Sequence, residues 1–121
     1  MKDTYSIYVP NDCFESPAFT NWYDGLSGND YYKVLAAIQK IELEGIVTTA
    51  KRLDPCGLYE KKWATVLRMY FSVANDTAKG KRTYLVYGGN KKDQNADIQW
   101  STQHIKTSGI TIETGDLKTK N

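Results

Sequence analysis

The chain has a single histidine, His104, with two cysteines and three prolines, and each scarcity closes off a class of chemistry. One histidine rules out a ribonuclease built on a His–His acid–base pair, and no cluster of His, Cys, Asp or Glu has metal-ligand spacing. His104 lies one helical turn past Trp100, near the end of a predicted helix, which suits packing or capping of the helix terminus. Cys13 and Cys56 form no Cys-Xaa-Xaa-Cys pair and no apolar N-terminal h-region precedes them. The pattern reads as a reducing cytoplasm, with two thiols favoured over a Cys13–Cys56 disulfide. No run approaches the roughly 18 consecutive apolar residues that cross a bilayer. A nucleotide-cradling loop is missing too, since GGNKKDQ (88–94) has neither Walker nor dinucleotide spacing. There is no internal repeat, low-complexity tract or linker.

What is present fits one domain spanning 1–121, with a core over about 4–106. Its 121 residues are 40% hydrophobic and 12% aromatic, enough for one core and too few for two. The formal charge is only +2, but it is segregated. Lys51, Arg52, Lys61, Lys62, Arg68, Lys79, Lys81, Arg82, Lys91 and Lys92 face only Asp54, Glu60 and Asp76 in the same window, while Asp3, Asp12, Glu15, Asp24 and Asp30 make the beginning acidic. Such asymmetry points to an anionic partner on one face.

Residues 4–9 alternate as a half-buried strand closed by Pro10. Ser16-Pro17 is a cap followed by a first-turn proline, and Phe19, Trp22, Tyr23 and Leu26 fall on one helical stripe. A second helix runs from Asn29 to about Glu44, with Tyr31, Val34, Leu35, Ile38 and Ile41 inward and Gly45 as its stop. Beyond a Pro55-Cys56-Gly57 turn, strands are predicted over 58–63, 65–73 and 83–87, with 75–80 as a polar loop in an antiparallel meander. A helix opens at Asp93 or Asn95 and ends near Lys106. A short strand at 110–113 and a mobile tail over 114–121 complete the chain.

Two blocks carry candidate chemistry. In LRMYF (67–71) alternation turns Arg68 and Tyr70 away from Leu67, Met69 and Phe71. TYLVY (83–87) leads through Gly88-Gly89 into a turn bearing Lys91 and Lys92. Arg68 and Tyr70 are therefore expected on an uncovered sheet face beside basic groups, a surface suited to a phosphodiester. On that expectation Arg68→Ala and Lys91→Ala leave folding intact. RNA cleavage by 2′-hydroxyl attack needs a proton acceptor, positive charge at the pentavalent phosphorus and a donor for the leaving oxygen. Arg and Lys supply the last two, and a lysine crowded by other cations, as Lys61, Lys62, Lys91 and Lys92 are, becomes a better base. Strand alternation leaves open which of Lys61 and Lys62 faces this groove.

From Phe14 to Ile105 the order of elements and motifs resembles the RelE/HigB group of the RelE/ParE superfamily of bacterial toxins, nearest the addiction-module killer branch. FTNWYDGL (19–26) resembles that branch's opening helix and IQKIELEG (38–45) its second. GLYEKKW (57–63) and LRMYF resemble its Gly-Val-Tyr-Glu-Leu-Arg and Tyr-Arg-Val/Ile-Tyr-Tyr strands. YGGNKKDQNADI (87–98) resembles its Gly-Gly-Asp-Lys-Xaa-Xaa-Gln-Xaa-Xaa-Asp-Ile turn and helix, the most specific match.

The resemblance implies an α+β fold in which two N-terminal helices pack on an antiparallel sheet of about four strands, with a C-terminal helix. It implies the toxin of a type II toxin–antitoxin module, a ribosome-dependent, metal-independent mRNA endonuclease without a cofactor. Its partners would be the ribosome and mRNA, and a cognate helix-turn-helix antitoxin that links it indirectly to operator DNA, all in the cytoplasm. By position, Arg68 would address the scissile phosphate, Lys91 the developing charge or RNA backbone, and Tyr70 a base. Lys62 stands where the family carries arginine. Lys51, Arg52, Lys61, Arg82 and Lys92 complete the expected RNA surface. The competing expectation is a non-nuclease protein of the same fold, either gyrase-directed or a prophage-derived relative that only binds its antitoxin.

Overall fold

A computed structural model describes residues 6–48, 50–53, 57–115 and 119–120. Ser16 starts the first helix, α1 (Pro17–Asp24), because its extended backbone lets Oγ accept from the Phe19 N–H at 2.9 Å. The same hydroxyl donates to the Val86 carbonyl at 2.5 Å, so the cap also clips the helix to the sheet. Helix α2 (Gly28–Glu44) buries Val34, Ile38 and Ile41 at helical spacing. It stops at Gly45, whose left-handed φ of 67° turns the chain where a Cβ would lie 2.7 Å from the Val9 carbonyl oxygen.

The main sheet has five strands in the order β2-β7-β6-β5-β4: β2 Cys13–Glu15, β4 Ala50–Leu53, β5 Leu58–Lys62, β6 Leu67–Asp76 and β7 Gly80–Asn90. Strands β4 to β7 form the expected antiparallel meander. The expectation of a simple antiparallel sheet of about four strands needs correction at its edge, because β2 pairs parallel to β7. The first strand, β1 (Ser6–Tyr8), does not join this sheet. It pairs with β3 (Ile46–Thr48) on one side and β8 (Thr119–Lys120) on the other. Residues 119–120 of the expected tail are thus paired, while 116–118 and 121 lie outside the described residues, as does the Pro55-Cys56 part of the expected turn. The expected strand at 110–113 reduces to one bridge, Ile112 to Ala74. The loop at 75–80 shrinks to a tight turn in which the Asp76 carboxylate accepts from the Ala78 and Lys79 N–H groups at 2.8 and 3.1 Å.

Alternation along β6 separates two cores. Met69, Phe71 and Val73 pack with Phe19, Val34, Ile38, Ile41 and Leu85 beneath α1 and α2. Tyr70 and Ala74 pack with Leu58, Tyr84, Val86 and Ile105, the last from α3 (Gln94–Thr107). The sheet is sandwiched between the two N-terminal helices on one face and α3 on the other. Among the described residues, no helix is long and apolar enough to cross a membrane.

Candidate nucleic-acid interface

The sequence-predicted cations converge at one end of the sheet, with a correction to how they are presented. Lys62 pairs directly with Arg68, and Arg68 with Gly89, so the three share one row and one face. Register thereby selects Lys62, not Lys61, for this face. Lys62 is exposed, as are Lys91 and Lys92 in the 3-10 turn that follows β7. That turn is fixed by the Asn90 side-chain oxygen, which accepts from the Asp93 N–H at 3.2 Å, and by the Lys91 N–H, which donates to the Val66 carbonyl at 2.7 Å. The second bond ties it to the β5–β6 turn, so the segments that carry Lys62, Lys91 and Lys92 are bonded to each other.

Arg68 is not on an open surface. It is 7% exposed, and its Nη1 donates to the carbonyls of Leu67, Thr65 and Trp63 at 2.8, 3.0 and 3.4 Å. The expectation of a solvent-facing guanidinium fails because α3 covers this face. The guanidinium instead gathers the β5–β6 turn around itself. Tyr70 is fully buried, so a base cannot stack on it, and burial followed by the negative charge of Glu60 holds its phenol protonated.

Three polar residues with no assigned role in the sequence reading surround this pair. Glu60 lies opposite Tyr70, is 1% exposed, and accepts from Gln94 Nε2 at 2.7 Å. Asp97, one turn further along α3, sits over Gly89, where a Cβ would come 2.0 Å from Oδ2. Burial, then the negative charge of Asp93, raises the Asp97 pKa. Among the described residues, Asp97 Oδ2 and Arg68 Nε are buried without a hydrogen-bond partner. The pointer to this cluster was the i, i+3 spacing of Gln94 and Asp97 just after the paired glycines. Gly88 serves the opposite face: its missing Cβ makes room for the Trp22 indole at 2.1 Å.

The remaining candidates scatter. Lys51 is exposed on the same face, opposite Glu60. Lys61 pairs with Met69 and so turns to the α1–α2 side, with its Nζ 4.8 Å from the Trp63 ring centre. Its pKa is lowered by burial first and by Lys40 second, not by Lys62, Lys91 or Lys92. Arg52 pairs with Tyr59 on that same side and donates to the Thr114 carbonyl. Arg82 is held by Asp12 at 2.7 Å and lies 4.3 Å over the Phe14 ring. It pairs with Ala74, about 20 Å along β6 from Arg68 at ~3.3 Å per residue. His104 packs as expected, stacked on Trp100 at 4.8 Å with Nε2 2.7 Å from the Tyr84 hydroxyl. Compared with family models, curated proteins and solved structures, the chain has no significant match.

Proposed function

We propose that this protein is a RelE-like toxin of a bacterial type II toxin–antitoxin module, a cytoplasmic, ribosome-dependent mRNA endonuclease neutralised by a cognate helix-turn-helix antitoxin. The observation that carries this reading is that Lys62, at the end of β5, and Lys91 and Lys92 are exposed on segments joined by the bond from the Lys91 N–H to the Val66 carbonyl, and we read them as one cationic rim. Three ammonium groups on one rim hold an RNA phosphodiester and offset the charge that builds as a 2′-hydroxyl attacks phosphorus. Proton transfer to and from the reacting oxygens is assigned to amines of the same rim. Arg68 acts as a positioning residue: through three carbonyls it fixes the turn that presents Lys62 and receives Lys91.

The burial of Arg68 and Tyr70 favours a second reading. In it the chain shares the fold but cuts no RNA, and either poisons gyrase or only binds its antitoxin. Expression in bacterial cells with mapping of transcript ends separates the two. Codon-phased cuts that vanish in a Lys62→Ala, Lys91→Ala double variant support the nuclease. Intact transcripts with DNA damage support the gyrase-directed protein, and unimpaired growth supports the antitoxin-binding relative.

A further inference from the structure

Strand β2 accompanies β7 only from Thr83 to Leu85. The Ser16 N–H and hydroxyl then take the Leu85 and Val86 carbonyls, and the chain departs into α1. Over residues 87–90 the outer edge of β7 has no strand partner among the described residues. A cleft of about 390 Å³ opens there, lined by Ala18, Asn21, Trp22 and Tyr87, within the ~300–1,000 Å³ of small-ligand sites.

Its walls are aromatic and fixed in place. Ala18, Asn21 and Trp22 share one face of α1 at i, i+3 and i+4, and the Trp22 indole is seated over Gly88. Tyr87 is backed by Trp100 at 4.8 Å between ring centres, and Trp100 by His104. Trp100 itself is 41% exposed, so aromatic surface continues outside the cleft. Asn21 is exposed and brings an amide, which offers both a donor and an acceptor. Lys91 follows Tyr87 by four residues, about 13 Å at ~3.3 Å per residue. Flat apolar walls, one amide and nearby cations match a base, its hydrogen-bonding edge and its phosphates.

We propose that this cleft is a nucleobase subsite that takes one unstacked base of a single-stranded RNA whose backbone lies on the lysine rim. This rests on the RNA-directed reading above. Tyr87 carries the stacking role that the resemblance assigned to Tyr70, and Trp22 closes the side of the cleft.

The probe is a five-nucleotide single-stranded RNA, 2′-O-methylated throughout to prevent cleavage, compared with an abasic oligomer of the same length by fluorescence anisotropy. The wild type should bind the base-containing oligomer more tightly. Tyr87→Ala should weaken that binding by about 5- to 150-fold, the range for losing one base–aromatic stack, and leave the abasic oligomer unaffected, while Tyr87→Phe retains it. Because Tyr87 also packs inward, the exposed Asn21→Ala serves as a second variant that spares the fold, and it should reduce discrimination among homopolymers. Equal binding of both oligomers by the wild type, or indifference to both Tyr87→Ala and Asn21→Ala, overturns the subsite while leaving a backbone-binding rim intact. Binding of neither oligomer overturns the subsite; because cleavage is proposed to require the ribosome, the RNA-directed reading is then decided by the transcript-end mapping above.

Discussion

Replacing Gly88 by alanine tests whether the paired glycines exist for packing. A Cβ on Gly88 would lie 2.1 Å from Trp22 Cδ2 and Cε3 and 2.3 Å from Cε2, where carbon atoms prefer about 3.5–4.0 Å. The ring must retreat by more than an ångström, yet it rests against fully buried Phe19 at 5.4 Å between centres. Overpacking of this kind costs ~1–3 kcal/mol, and a rigid bicyclic ring places the cost near the top. Alanine regains roughly 0.5 kcal/mol over glycine in a strand, leaving a net loss of about 2–2.5 kcal/mol. At an m-value of ~1.5 kcal/mol/M, the urea midpoint falls by about 1.5 M. Trp22→Ala alone should cost near ~3 kcal/mol, the low end for a truncated aromatic, because the ring is only partly buried. In that background Gly88→Ala should become neutral or slightly stabilising, a coupling of about 3 kcal/mol that identifies direct contact. If Gly88→Ala lowers the midpoint equally in both backgrounds, the glycine is required for another reason and the packing argument fails.

Arg68→Ala takes the guanidinium from three carbonyls, of which Leu67's keeps the Trp63 N–H, and should destabilise the protein by about 2–4 kcal/mol; an unchanged urea midpoint would contradict the buried placement. The raised pKa of Asp97 means that ionising it costs more in the folded chain than in the unfolded one. Its favourable contribution is complete below the ordinary carboxylate value of ~3.9 and is lost as pH rises through the folded value. The stability advantage of Asp97→Asn over wild type should therefore widen between pH 3.5 and pH 7, and a gap that narrows refutes the assignment. Burial, reinforced by Glu42 and Asp12, pushes the Cys13 thiol up to about 12. In a Cys56→Ser background, alkylation at pH 8 should run at least tenfold slower than for a free thiol of pKa ~8.5, and a rate matching the free thiol would show that the burial is not maintained.

Local signals were legible and pairing partners were not. Ser16, Pro17 and Gly45 mark helix ends through their own backbone chemistry, and the structure uses them as the sequence predicts. By contrast β2 and β3 are three residues each, too short for alternation to be read, and although alternation over 4–9 marks β1, the partners of all three are set by where α1 and α2 leave the chain. The face assignment of Arg68 and Tyr70 was correct, while the exposure of that face was not. Helix α3 hides its contribution because its buried residues are Asp97, Ser101 and Ile105. A stripe of one carboxylate, one hydroxyl and one aliphatic side chain looks like a solvated face in sequence. The same helix explains why Glu60, Gln94 and Asp97 were overlooked, since each acquires meaning only once α3 is laid over Gly89.

The burial of Arg68 also changes how this residue can be used to test function. Lys62 and Arg68 are like charges directly opposite each other across two strands, an arrangement that is destabilising unless the guanidinium is met elsewhere. It is met by three carbonyls of the single turn from Trp63 to Leu67. Loss of toxicity in an Arg68 variant is therefore expected whether the side chain touches RNA or only shapes the rim. Exposed Lys62 and Lys91 are the better discriminators, because removing them changes surface charge by one unit each and stability by no more than about 0.5 kcal/mol. A nuclease that survives their joint removal would refute the rim as the RNA-binding surface, whatever Arg68→Ala does.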